Sequence, residues 1–191
     1  NFMPIGSSGG ETVSSSMLAI SGNDAVVDWV HVKIRSGAPS FAKVATMNAL
    51  LQRDGDVVDV NGLPLYFPSL CPGAYHIALK HRNHLGVMTA TTIHLIETSQ
   101  LIDFTTATPV WNKPGVTNTP RKMDGSYQLL WSGDTRTDKN IKYNGSANDK
   151  DPILYAVGNA TPNNILYPVY RPEDANMDAR VKYNNVGNDK N

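Results

Sequence analysis

The sequence has little cysteine, no excess of charge of either sign and no long hydrophobic run. Its 191 residues include a single cysteine, Cys71, so no disulfide can form within the chain. The 17 basic residues balance the 17 acidic ones, which leaves no basic excess of the kind that nucleic-acid binding requires. No apolar stretch reaches the roughly 20 residues of a transmembrane helix. The composition therefore favours a globular protein with no nucleic-acid partner and no membrane span.

Alternating apolar and polar residues predict antiparallel β-structure over residues 23–108. The segments VVDWVHVKIRS, GAYHIALKHRN, MTATTIHLI and SQLIDFTTA are rich in β-branched residues and predict strands. The start of FAKVATMNALLQ is compatible with a short helix. Asp-Gly and Asn-Gly pairs are typical of tight hairpin turns, and turn signals recur about every ten residues. This pattern favours a mainly β protein with an antiparallel β-sandwich at residues 23–108.

The rest of the chain differs in composition on both sides of this region. Residues 1–22 are rich in Ser and Gly and predict a linker. Residues 109–126 are rich in Pro, Gly and Asn and predict a connector. In residues 127–191 the segment DKDPILYAVG predicts a short helix, with Pro in its first turn and Gly at its end. The linker-like beginning indicates a part of a longer polypeptide.

Residues 127–191 contain a duplication. The segment GDTRTDKNIKYNGSANDK starts at Gly133, and EDANMDARVKYNNVGNDK starts at Glu173, 40 residues later. Eight of the 18 aligned positions are identical, and all eight carry polar side chains. A solvated loop has no reason to keep these particular positions, so the duplication indicates a structural or binding role for them.

The second copy has the spacing of a loop that binds a hard cation. Asp174, Asn176 and Asp178 stand at positions 1, 3 and 5, where side-chain oxygens of a tight loop point toward one ion. The carbonyl of Arg180 at position 7 adds an oxygen, and Asp189 supplies a later carboxylate. This all-oxygen set, with no competing Cys or His cluster, favours Ca²⁺ over Zn²⁺.

The first copy is a less complete version of the same loop. Its position 3 is Arg136, which cannot ligate a cation, so we expect the second loop to bind the ion more fully. Both copies also depart from an EF-hand, which has Gly at position 6 and a carboxylate at position 12. The apolar residue at position 8, Ile141 or Val181, is expected to pack each loop onto its neighbour. The candidate metal ligands are Asp134, Asp138, Asn140, Asn148, Asp149, Asp174, Asn176, Asp178, Arg180, Asn188 and Asp189.

A second interpretation of the two copies needs no metal. Asp and Asn side chains readily form Asx turns. A pair of Asx-rich turns held by hydrogen bonds alone would therefore also account for the polar residues of the two copies. The spacing at positions 1, 3 and 5, together with the duplication, favours the metal.

These segments resemble a known kind of module. SGDTRTDKNIKYNGSANDKDPIL and RPEDANMDARVKYNNVGNDK are similar to the paired dockerin-like repeats that end many large secreted proteins of Bacteroidetes. VVDWVHVKIRS, ALLQRDGDVVDVNG and HRNHLGVMTA resemble the β-rich module that precedes those repeats. In that family the second repeat continues into its own DPIL helix, so the resemblance implies a truncated second repeat here. It also implies an adhesin-like or haemagglutinin-like protein, type IX secretion, and a location outside the cell or on the outer-membrane surface.

Three functions follow as alternatives. The first is a non-catalytic, calcium-stabilised C-terminal module that serves adhesion or surface display, with a protein or a cell-surface glycan as partner. The second is a protein-docking module, or a sorting module read by the secretion machinery. The third is a glycan-active enzyme domain. No catalytic triad, phosphate-binding loop or HExxH motif occurs, which favours a protein that is not an enzyme. The cluster HRNH at residues 81–84 contains two histidines. Alternate residues of a strand end point to opposite faces, so the two imidazoles would not converge on one metal ion. The cluster is therefore expected to be structural.

Overall fold

A computed structural model describes residues 10–106 and 108–190 of the chain. It is mainly β, which confirms the predicted class, and its strands pair antiparallel. The chain divides into two compact units. Unit 1 comprises residues 1–81 and 87–129, and unit 2 comprises residues 82–86 and 130–191. None of the helices in the described ranges has the length and apolar character needed to cross a membrane.

Unit 1 is built on a six-stranded sheet. Its strands are β1 (Val26–Arg35), β2 (Lys43–Gln52), β3 (Val57–Val58), β4 (Gly73–His81), β5 (Val87–Met88) and β6 (Ile93–Leu95). The order is β3-β2-β1-β4-β5, and β6 also pairs with β4. A separate hairpin joins β7 (Arg121–Asp124) to β8 (Tyr127–Leu130), and β7 lies within the segment that the sequence predicted as a connector.

The sheet is buried on both faces around its central strand. Val32 of β1 lies opposite Met47 of β2 and Leu79 of β4. One face carries a core of Val30, Val32, Ile34, Ala49 and Ile77. The other face carries Trp29, Leu50 and Val58, covered by Met17 of the short helix α1 (Ser15–Leu18). Val30, Val32 and Ile34 therefore share one face of β1 and Trp29 lies on the other, as the alternation of side chains in a strand requires.

Three local predictions for unit 1 are wrong or incomplete. Residues 43–52 form strand β2 and not a helix, because pairing with β1 and burial of Ala49 and Leu50 outweigh the weak helix signal. Residues 101–106 contain a turn and no strand. The predicted linker includes helix α1, whose first turn is capped by the Ser14 hydroxyl, and residues 1–9 of that linker lie outside the described part.

Unit 2 has a small core and little regular structure. Helix α2 (Lys150–Ala156) occupies the position predicted from DKDPILYAVG. Strands β9 (Ile165–Leu166) and β10 (Val181–Lys182) pair antiparallel. The buried core consists of Ile153, Val157 and Val181, with Leu166, Val169 and Tyr183 among the residues packed around it.

Candidate metal centre

The first Asp of each copy is completely buried and organises its loop in the same way. Asp134 and Asp174 both have 0% exposure. Asp134 Oδ1 accepts the backbone N–H of Asp138 at 2.9 Å, and Asp174 Oδ1 accepts that of Asp178 at 3.0 Å. Asp134 Oδ2 accepts the N–H of Lys139 at 3.2 Å, and Asp174 Oδ2 accepts that of Ala179 at 3.1 Å. The duplication of sequence is thus a duplication of geometry.

The last Asp of each copy closes the loop through both of its oxygens. Asp189 Oδ1 accepts the N–H of Ala175 at 2.8 Å and that of Asn176 at 3.2 Å, and Oδ2 accepts that of Lys182 at 2.7 Å. The equivalent Asp149 accepts from Arg136 and, at 2.7 Å, from Lys142. Each copy is therefore fastened at its beginning and its end by buried carboxylates.

Position 3 distinguishes the two copies. In the second copy Asn176 Oδ1 accepts the N–H of Asp178 at 3.0 Å, the same N–H that Asp174 Oδ1 accepts at 3.0 Å. Oxygens of positions 1 and 3 therefore converge on one backbone group. In the first copy Arg136 has no oxygen to place there, and its Nε lies 3.8 Å from the carboxylate of Asp138 instead. The second copy therefore offers a metal ion more side-chain oxygens than the first copy does.

The other candidate ligands bond to nearby backbone. Asp138 and Asp178 are exposed, and their Oδ1 atoms accept the N–H groups of Asn140 at 2.9 Å and Arg180 at 3.0 Å. Asn148 Oδ1 accepts the N–H groups of Lys150 at 2.9 Å and Asp151 at 3.1 Å, so it caps helix α2. Asp149, which stands at the N-cap position of α2, makes no side-chain cap bond. Asn188 Oδ1 accepts the N–H of Lys190 at 3.2 Å, as its equivalent does in the first copy.

The backbone at position 6 is left-handed although neither residue is Gly. Lys139 has a φ of 72° and Ala179 a φ of 64°. This conformation costs an L residue roughly 1–2 kcal/mol. The loops keep it because it aims the N–H of each residue at the buried Asp of position 1. The loops thus adopt the turn that Gly would favour, without Gly.

The apolar residues at position 8 of the two copies differ in burial. Val181 is buried in the core of unit 2 with 0% exposure, as predicted, but Ile141 is 43% exposed. Val181 belongs to strand β10 and is held against β9. No strand in the described ranges includes Ile141. The prediction for Ile141 is therefore wrong, because packing at this position depends on a paired strand.

Asn83 contacts both copies, a role that the sequence did not reveal. The backbone carbonyl of Asn83 accepts the N–H groups of Gly133 at 3.0 Å and Asp134 at 2.8 Å. Its side-chain amide donates to the carbonyls of Asp174 at 2.7 Å and Pro172 at 3.0 Å. The HRNH motif was visible in the sequence and was expected to be structural, but nothing local identified its partners.

The guanidinium of Arg82 neutralises part of the charge of this site. Its Nη1 lies 3.3 Å from Asp174 Oδ2, with both side chains buried, and its Cζ lies 4.3 Å from the ring centre of Tyr170. Burial nevertheless raises the pKa of Asp174 above its ordinary value, with Arg82 acting in the opposite direction. Burial also raises the pKa of Asp189, and the negative charge of Asp174 raises it further. Hydrogen bonds and Arg82 therefore offset the burial of these carboxylates only in part.

The residues present fit a hard cation better in the second copy than in the first. Its carboxylate, amide and carbonyl oxygens are of the type that Ca²⁺ prefers. Within residues 10–106 and 108–190, however, no three His, Cys, Asp or Glu side chains gather as a metal-binding group. An ion here would depend on amide and backbone oxygens beside the carboxylates.

The fold and the site together define a mainly β protein with a duplicated segment of Asx-rich loops around buried carboxylates. No family model, curated protein or solved structure matches this chain. The similarity to dockerin-like repeats consequently stays a prediction from the sequence.

Proposed function

We propose that unit 2 is a calcium-stabilised, non-catalytic module of a secreted or surface-displayed bacterial protein, with dockerin-like loops, and that the chain serves adhesion or surface display. The observation that carries this proposal is the pair of equivalent loops, each fastened by two buried carboxylates. These are Asp134 and Asp149 in the first copy, and Asp174 and Asp189 in the second.

Buried carboxylates need compensation, and a cation supplies it. Removing a carboxylate from water is costly unless hydrogen bonds or opposite charge offset the loss of hydration. Backbone N–H groups offset part of this cost here, but burial still raises the pKa values of Asp174 and Asp189. A Ca²⁺ ion would stabilise the ionised forms and offset the remaining cost of burial.

Such an ion would act structurally. The residues that would hold it in the second copy are Asp174, Asn176, Asp178 and Asp189, with the carbonyl of Arg180. The core of unit 2 contains only three buried apolar residues. Small domains with so little apolar burial commonly depend on metals or disulfides for stability. Calcium is plentiful outside cells, which agrees with the surface location inferred from the resemblance.

The enzyme alternative finds less support in this arrangement. Asp149 and Asp189 both line one cavity, but their oxygens are engaged by backbone N–H groups at both ends of a loop. Carboxylates fixed in this way anchor structure and are poorly placed to exchange protons with a substrate. We therefore assign them a structural role.

Calcium binding by the chelator-stripped chain tests the proposal. Isothermal titration calorimetry is expected to show binding of Ca²⁺, with a stronger site in the second copy. Asp178→Asn is expected to weaken that site at least tenfold, because it removes a charged ligand from an exposed position that does not support the core. Mg²⁺ should bind more weakly, since it tolerates this irregular oxygen set less well.

Asp124→Asn is the matched control. It removes the same charge from an exposed position of strand β7 in unit 1, and should leave calcium binding unchanged. A stripped chain that takes up no Ca²⁺ would contradict the proposal and favour Asx turns held by hydrogen bonds alone.

A further inference from the structure

A cavity of about 280 Å³ lies within unit 2 and is lined by both copies of the duplicated segment. The first copy contributes Lys142, Tyr143 and Lys150, and the second contributes Asn176 and Lys190, among others. Three lysines, a tyrosine and two asparagines thus line the cavity. These are groups that recognise a ligand with both polar and ring surfaces.

Two of the ammonium groups are held in equivalent positions. Lys150 Nζ lies 3.8 Å from the ring centre of Tyr143, and Lys190 Nζ lies 4.4 Å from that of Tyr183. Each Nζ also donates to the side-chain oxygen of an Asn at 3.0 Å. Neither contact neutralises the positive charge, because the partners are a ring and a neutral amide. Both cations are therefore fixed in place and retain their charge for an anion.

The carboxylates that line the same cavity are less available than the cations. Asp149 is 7% exposed and Asp189 is 5% exposed. Their oxygens accept N–H groups from the ends of their own loops. The groups of the cavity that a ligand can reach with ease are therefore predominantly donors and cations.

The remaining lining suits a sugar ring. Tyr143 is 59% exposed, so its ring offers apolar surface next to the ammonium of Lys150. The amides of Asn176 and Asn188 each use one N–H in a bond to a loop carbonyl, and each carries a second N–H. Ring hydroxyl groups could accept from these amides, and the lysines supply the positive charge that an anionic substituent requires.

We propose that this cavity binds an acidic saccharide, with a carboxylate or sulfate group on the ammonium groups of Lys150 and Lys190 and a sugar ring against Tyr143. The inference names a ligand class for the proposed adhesion role. The lysines and the ring of the cavity are not among the candidate metal ligands, although Asn176 and Asp189, which are, line the same cavity.

Titration of the full 191-residue chain with defined saccharides tests the inference. Digalacturonic acid and a heparin-derived sulfated disaccharide supply the two kinds of anionic group, and lactose is the neutral comparison. We expect at least one acidic saccharide to bind at least tenfold more tightly than lactose, and the preferred one identifies the anionic group. The variant with both Lys150→Met and Lys190→Met should lose at least tenfold in affinity.

Two further variants separate charge recognition from folding. The double variant with Arg at both positions keeps the charges and should retain binding. Lys113→Met removes one charge from an exposed position of unit 1 that does not line the cavity, and should bind like the unaltered chain. Calcium binding is measured on the same samples, so loss of saccharide binding alone leaves the calcium proposal standing.

Three results would overturn the inference. The first is an absence of binding by both acidic saccharides at millimolar concentration. The second is equal affinity in the Met double variant. The third is equally tight binding of an acidic Glu-rich peptide, which would show that the cavity recognises negative charge and not a sugar.

Discussion

At the scale of single residues, the loops of unit 2 combine a conformational cost with a compensating hydrogen bond. Ala179 adopts a φ of 64°, and its N–H donates to the buried Asp174 at 3.1 Å. The hydrogen bond requires the left-handed backbone, and the side chain of Ala is unfavourable in it. Gly would keep the bond and remove the steric conflict.

The variant Ala179→Gly is therefore expected to stabilise unit 2. Relief of the left-handed strain is worth roughly 1–2 kcal/mol, and the greater freedom of Gly in the unfolded chain costs roughly 0.5–1 kcal/mol. The free energy of unfolding should rise by about 0.5–1 kcal/mol. Native-state hydrogen exchange of amides in unit 2 measures this change.

Ala156→Gly in helix α2 provides the opposite case. Its backbone is helical, so the same substitution should lower the free energy of unfolding by roughly 1 kcal/mol. If the two variants destabilise unit 2 equally, the left-handed conformation of Ala179 is not a source of strain.

At the scale of elements, unit 2 is organised by the segment of residues 82–86 as much as by its own helix and strands. The backbone of Asn83 bonds to the start of the first copy, and its side chain bonds to the start of the second. Asn83 itself has 0% exposure. This one residue therefore joins the two copies at equivalent points.

Asn83→Ala is expected to destabilise unit 2 by roughly 2–4 kcal/mol. The change deletes two hydrogen bonds and leaves the carbonyls of Pro172 and Asp174 without these donors, and each buried group left unsatisfied costs about 1–3 kcal/mol. Hydrogen exchange of amides in both copies should accelerate together. Acceleration in one copy only would contradict a joining role.

Asn112→Ala is the matched control for this prediction. The amide of Asn112 donates to the carbonyl of Val116 at 3.0 Å in an exposed loop of unit 1. Water can replace that bond, so the change should cost less than about 0.5 kcal/mol.

At the scale of the whole molecule, the two units have different sources of stability. Unit 1 has two apolar clusters on opposite faces of its sheet. Unit 2 has one small cluster and a network of buried carboxylates. A calcium ion that binds only the folded loops should therefore matter for unit 2 and leave unit 1 unaffected.

Chelation of calcium is expected to destabilise unit 2 selectively. Binding to the folded state alone stabilises by about 2.7 kcal/mol when the ion is at a hundredfold excess over its dissociation constant. Removal of the ion should increase hydrogen exchange in residues 130–190 and leave strands β1, β2 and β4 protected. Unchanged exchange in unit 2 after chelation would contradict a stabilising ion, and equal acceleration in both units would contradict a local one.

The β class, the helix at DKDPILYAVG and the duplicated polar positions can all be derived from the amino-acid sequence. These features depend on local periodicity, on capping and on identity at a fixed offset of 40 residues, all of which can be read along the chain. The candidate positions 134, 149, 174 and 189 came from this pattern, and the structure places all four as buried loop anchors.

Which of those positions meet, and which other residues contact them, is evident only in the folded chain. Arg82 and Asp174 are separated by 92 positions in sequence, and no local pattern links an Arg at a strand end to a distant Asp. The same applies to Val181 and Ile141, which are equivalent in the repeat but differ in burial because only Val181 has a paired strand. Burial and long-range pairing depend on the folded chain as a whole, so local sequence signals could not supply them.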